Sequence, residues 1–165
     1  MSLPTILAFH GSGSNSTIHT IQLARLTRFL KPHFDLESLT GTIESAAGPG
    51  ILPFFEGCGP YYRWLPPTEA LSASDARDTS LTNLHMGKDV VDMIKREVEK
   101  VKARGSTVVG VVGFSQGTRV VAGLLKAREV QGVLAAEGKG EGLERLGDIR
   151  FGISVCSSFP RLVSM

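Results

Sequence analysis

Apolar positions along this chain follow two rhythms, short unbroken runs and repeats every three or four residues, and the two alternate. Thr5-Ile6-Leu7-Ala8-Phe9 is a short apolar run between Pro4 and the Gly/Ser/Asn loop Gly11 to Ser16. Its length and flanks predict a buried strand. Ile18, Ile21, Leu26, Phe29 and Leu30 then recur at roughly helical spacing until Pro32, so a helix is expected there. Phe34 to Leu39 alternates apolar and polar residues and predicts a second strand.

The rhythm breaks from Thr40 to about Ser80. Gly48-Pro49-Gly50, Gly59-Pro60 and Pro66-Pro67 punctuate this stretch, and Phe54, Phe55, Tyr61, Tyr62 and Trp64 concentrate in it. So long a loop is unusual in a compact domain. Its aromatics argue against a solvated linker, so residues 40–80 are expected to form an ordered segment lying over a site.

Regularity then returns. Leu84 to Arg104 carries Val90, Val91, Ile94, Val98 and Val101 as one stripe, with Lys and Glu opposite and Gly105 as a stop. Thr107 to Phe114 is a β-branched apolar run, the pattern of a strand buried on both faces. Gly117 to Ala127 predicts a helix whose apolar side holds Val120, Val121, Leu124 and Leu125. Gly138 to Gly147 reads as an exposed loop, and Phe151 to Cys156 as the last strand. Strands alternating with helices imply βαβ units and a mostly parallel sheet in one α/β domain spanning residues 1–165.

Composition changes little in this picture. Of 165 residues, 42% are hydrophobic and 21% charged, and 18 basic against 16 acidic residues leave a formal charge of +2. A chain so balanced shows no electrostatic footprint for nucleic acid or an anionic membrane. Cys58 and Cys156 are too few for a disulfide framework and are read as free thiols. No basic n-region precedes a long apolar segment, and no window approaches the ~18 apolar residues of a membrane span. The expected location is the cytoplasm. No cofactor and no metal site are expected.

The chemistry centres on Gly113-Phe114-Ser115-Gln116-Gly117, a G-x-S-x-G pentapeptide. Alone it is common. Here a β-branched strand ends at Phe114 and a helix begins just past Ser115, which is the strand–turn–helix context of a nucleophile elbow. A sharp turn there projects Ser115 Oγ from the strand end. Small residues two before and two after let backbone approach closely, and the helix N-terminus favours developing negative charge. Ser115 is therefore the expected catalytic nucleophile. The tetrahedral oxyanion needs two N–H donors. Gln116, the residue after the nucleophile, is expected to supply one. Ser12, in the loop His10-Gly11-Ser12-Gly13 after the first strand, is expected to supply the other. His10 itself is read as a structural histidine bonded to nearby backbone.

Serine needs a base, and the base an orienting acid. In this fold the order is serine, acid, histidine. All four histidines, His10, His19, His33 and His85, precede Ser115. Giving His85 the role of base would break that order. Asp148, the one aspartate after Ser115, reads as a solvated loop charge. The expectation is a fold that lacks its last strands, with the acid and base beyond them.

The stretches Ile6 to Asn15, Gly48-Pro49-Gly50, Pro53 to Gly57, Gly59 to Trp64, Gly113 to Thr118 and Phe151 to Cys156 together resemble the fungal serine hydrolase family. That family is related to ovarian-cancer-associated serine hydrolases and dienelactone-hydrolase-like enzymes. The resemblance implies an α/β-hydrolase fold and an esterase or thioesterase of the kind found in polyketide gene clusters. It implies Ser115 as nucleophile, Ser12 and Gln116 at the oxyanion, and Tyr61, Tyr62 and Trp64 near an acyl pocket. The substrate would be an acyl ester or a carrier-bound acyl thioester, with a polyketide synthase as partner. Two other readings stand beside it. One is a catalytically inactive remnant that only binds a ligand or partner. The other is dienelactone-type or peptide hydrolysis, because fold does not fix substrate.

Overall fold

A computed structural model describes residues 2–67, 86–136 and 148–157. Strand β1 (Thr5–Phe9) is followed by helices α1 (Ser16–Gln22) and α2 (Ala24–Leu30), then β2 (Asp35–Leu39), the short strands β3 (Ile43–Ser45) and β4 (Tyr61–Arg63), and helix α3 (Lys88–Ala103). Strand β5 (Val108–Phe114), helix α4 (Gly117–Ala136) and strand β6 (Phe151–Val155) complete it.

Four strands form one sheet in the order β2-β1-β5-β6, and every neighbouring pair is parallel. Alternation along β1 and β5 divides their side chains between two faces. Leu7, Phe9 and Val111 join a core with Val90, Ile94 and Val98 of α3 and Val120, Val121 and Leu124 of α4. Ile6, Ala8 and Val112 point the other way, beneath Leu23, Leu30, Phe34 and Leu36. Each fully buried side chain of this size contributes roughly 1.5–3 kcal/mol, so both faces of β1 and β5 are anchored. This is the parallel α/β sheet that the alternation implied.

Several boundaries differ from the sequence reading. The helix expected before Pro32 is two helices hinged at Leu23. The apolar positions explain this, because Ile21 and Leu26 are five apart, which breaks the helical phase. Within the supposed loop 40–80, β3 and β4 pair antiparallel, Ile43 opposite Arg63 and Ser45 opposite Tyr61. Three-residue strands carry too little pattern to be read from sequence. Helix α4 runs on to Ala136, since no proline interrupts it after Ala127. The expected helix start at Leu84, residues 68–80 and the loop 138–147 lie outside the described residues.

Strand β6 pairs with β5 alone among the described strands. All five of its residues are exposed, Ile153 at 46%. Among the described residues no helix is long and apolar enough to cross a membrane.

Candidate active site

The sheet order itself selects a place for chemistry. From β1 the chain connects to β2 on one side, while β5 and β6 lie on the other. The loops leaving the carboxyl ends of β1 and β5 therefore diverge, and a crevice at such a switch point is where open α/β sheets hold ligands. The β1 loop contains His10 to Asn15, and the β5 loop is Ser115-Gln116.

Ser115 has φ of +49°, in the left-handed region, which costs a non-glycine residue roughly 1–3 kcal/mol. The surroundings hold it there. Its N–H donates to the carbonyl of Val155 at 2.9 Å. Its own carbonyl accepts from Thr118 N–H at 3.1 Å and from Thr118 Oγ1 at 2.6 Å. The flanking glycines are sterically required. A Cβ at Gly113 would lie 2.5 Å from the carbonyl oxygen of Gly117, and one at Gly117 would lie 2.1 Å from that of Phe9. Strand β5, the turn at Ser115 and α4 thus follow one another in close backbone contact. Ser115 is half-buried, at the N-terminal end of the 20-residue helix α4.

The β1 loop abuts this turn. A Cβ at Gly11 would lie 3.4 Å from Cβ of Ser115, so the backbone leading into Ser12 passes directly beside Ser115. Among the described residues neither the N–H of Ser12 nor that of Gln116 donates a hydrogen bond. Both belong to the two loops that meet at Ser115.

The loop is held from behind by the segment that sequence could not resolve. Gly13 and Ser14 donate from N–H to the carbonyl of Tyr62 at 2.8 and 3.1 Å, and Tyr62 donates back to Ser14 at 2.7 Å. Gly48 N–H donates to the carbonyl of Gly13 at 2.9 Å. Asn15 caps α1 by accepting from Ile18 N–H at 3.0 Å, and its amide donates to the carbonyls of Cys58 and Pro60 at 2.8 and 3.0 Å. Sequence reasoning did not single out Asn15, although an Asn just before a helix is itself a cap signal.

The aromatic candidates occupy different positions. Tyr61 is half-buried and its hydroxyl donates to the carbonyl of Phe55 at 2.8 Å. Tyr62 is half-buried and meets the β1 loop through its backbone. Trp64 is enclosed in the core at 1% exposure. Its ring packs edge-on against Phe9 at 5.3 Å between centroids and tilted against His10 at 4.8 Å. Its indole N–H donates to the carbonyl of His10 at 2.7 Å.

His10 is buried with both ring nitrogens engaged. Nε2 accepts from Gly41 N–H at 2.9 Å, so Nδ1 carries the proton and donates to the carbonyl of Gly11 at 2.6 Å. Burial lowers its pKa to about 4, only partly opposed by the bond to Gly11. His19 is also lowered to about 4, first by burial and then by the proximity of His10. Both are neutral near pH 7, and His10 is a structural histidine, as its position in the sequence suggested. Ser115 Oγ has no hydrogen-bond partner among the described residues, and His85 lies outside them. Asp148 is exposed and paired with Arg150, which lowers its pKa through a hydrogen bond. No group of three or more His, Cys, Asp or Glu among the described residues could hold a metal ion. Cys58 and Cys156 are free thiols, half-buried and exposed respectively.

The sequence is similar to those of known proteins. The chain is 33% identical over 162 residues to the thioesterase FSL2 of Gibberella zeae, covering 97% of this chain and 58% of that protein. It is 29% identical over 160 residues to the esterase FUS5 of Gibberella moniliformis, covering 97% and 59%. Against the dihydromonacolin L-[lovastatin nonaketide synthase] thioesterase of Aspergillus terreus it is 34% identical over 122 residues, covering 73% and 46%. The chain thus spans less than 60% of the length of these relatives. Residues 1–164 match the family model described as Serine hydrolase (FSH1), and with that match the chain belongs to the FSH1 serine hydrolase family.

Proposed function

We propose that this chain carries the nucleophile and oxyanion half of an esterase or thioesterase acting in fungal polyketide metabolism. The observation that carries the reading is the left-handed Ser115 (φ +49°) beside the Gly11 loop, with the N–H groups of Ser12 and Gln116 donating to nothing among the described residues; these support the two as the oxyanion donors.

In this reading Ser115 Oγ attacks the acyl carbonyl as a base takes its proton. The carbonyl oxygen becomes an oxyanion held by the N–H groups of Gln116 and Ser12. Collapse expels the alcohol or thiol, which recovers a proton, and leaves an acyl-serine ester. Water then attacks that ester through a second oxyanion and releases the acid. The base comes from outside the described residues, because His10 and His19 are buried and His33 precedes β2, at the end of the sheet opposite Ser115. The relatives' names support an acyl ester or thioester as substrate and a synthase as its source. In this reading residues 40–67 lie over the acyl group, with Tyr61 and Tyr62 as its wall and Trp64 as the support behind them.

Incubation with a fluorophosphonate probe tests this. Covalent labelling of the wild type and none of Ser115→Ala is expected. Equal labelling of the two, or none of either, overturns the reading and leaves a protein that only binds.

A further inference from the structure

The two proposed oxyanion donors belong to different loops, and such donors stabilise charge only when their relative position is held to a fraction of an ångström. One continuous set of hydrogen bonds joins those loops. The Oε1 atom of Gln116 accepts from the N–H of Trp64 at 2.7 Å and from that of Leu65 at 3.3 Å. The indole of Trp64 donates to the carbonyl of His10 at 2.7 Å. The His10 ring closes onto the carbonyl of Gly11 and the N–H of Gly41. The path thus runs from the residue after the nucleophile, through the core tryptophan, to the residue before Ser12.

We infer that the side chain of Gln116, acting through Trp64, is a positioning strut that sets the β1 loop against the elbow. The inference rests on the oxyanion reading above for its catalytic consequence. Its structural part stands alone. The amide of Gln116 is suited to this task in two ways. Its carbonyl oxygen has two lone pairs and receives two adjacent backbone donors. Trp64, at 1% exposure, cannot shift without opening the core, so the strut has a rigid end. The backbone N–H of Gln116 remains available for the oxyanion while its side chain fixes the distance to the opposite donor.

Amide hydrogen exchange on the full chain separates a strut from a merely buried glutamine. In Gln116→Met the acceptor is gone and the volume is kept. Exchange is expected to accelerate about tenfold at Trp64 and Leu65, and also at Gly13, Ser14 and Gly41, whose N–H groups bond within the β1 loop's supports. Val111 and Val112 in β5 should keep their rates. Gln116→Glu retains an acceptor oxygen and should restore slow exchange. Acceleration confined to Trp64 and Leu65, or spread equally over β5, overturns the inference. Fluorophosphonate labelling supplies the second reading, where Gln116→Met should slow the bond-forming step about tenfold and leave the half-saturating probe concentration unchanged. If the wild type resists labelling while the exchange pattern appears, the hydrolase reading fails and the strut stands. If the wild type labels and loop exchange is unmoved in the variant, the strut fails alone.

Discussion

The carbonyl oxygen of Phe9 lies where a side chain at Gly117 would begin, only 2.1 Å from the position of its Cβ. Strand β1 and the first turn of α4 therefore touch backbone to backbone next to Ser115. Gly117→Ala must push the two apart, and neither is a flexible side-chain end. A loss of about 3 kcal/mol or more is expected, read as a fall in the urea midpoint. Gly132→Ala in the same helix, where nothing lies within 4 Å, should instead stabilise by about 1 kcal/mol. Equal effects at the two sites would contradict the steric account.

Ser115 holds a backbone conformation that glycine adopts at no steric cost. Ser115→Gly should therefore remove all fluorophosphonate labelling and raise stability by about 1 kcal/mol. Ser115→Ala should also abolish labelling, without that gain. A less stable glycine variant would mean that the serine side chain supports the turn through contacts of its own.

Gly48 tests the loop that carries Ser12. A Cβ at Gly48 would lie 2.0 Å from the carbonyl oxygen of Ser12, so Gly48→Ala must displace the Ser12 loop. Losing one oxyanion donor slows acyl transfer about 100-fold or more. The labelling rate of Gly48→Ala should fall on that scale. Labelling at the wild-type rate would remove Ser12 from the site.

The buried histidines make stability depend on pH. Both have folded pKa values lowered from 6.5 to about 4. Above about pH 6.5 folded and unfolded chains are both neutral at these positions, so their contribution is complete. Between 6.5 and 4 the unfolded chain takes up protons that the fold excludes, and stability falls, by about 3 kcal/mol per histidine at most. Urea midpoints should be flat at pH 7 to 8 and drop steadily below 6.5. His19→Gln should reduce the slope. A midpoint unchanged down to pH 4 would show that the rings are accessible to protons.

Much of this was legible in the chain. The run ending at Phe114, with Gly113 and Gly117 around a serine, marked Ser115 as the expected nucleophile, because a buried β-branched strand turning at once into a helix forces the turn to be tight. Strand β1, the Gly11 loop and the stripe from Val90 to Val101 were equally plain, since each repeats a single period over its length. The histidine count after Ser115 needed no structure at all.

What the sequence alone determined is thus the local part, meaning which segments are strands and helices, and that Ser115 stands where β5 gives way to α4. Tertiary structure alone decided how distant pieces serve it. Gln116 reaches Trp64 across 52 residues. Gly48 presses on Ser12, and Trp64 is drawn inside the core, away from the surface that its neighbours Tyr61 and Tyr62 still share. These are contacts between segments with no common period. Hydrophobic pattern records only which side of an element faces inward, and the partner of a polar group is chosen by the geometry that folding creates.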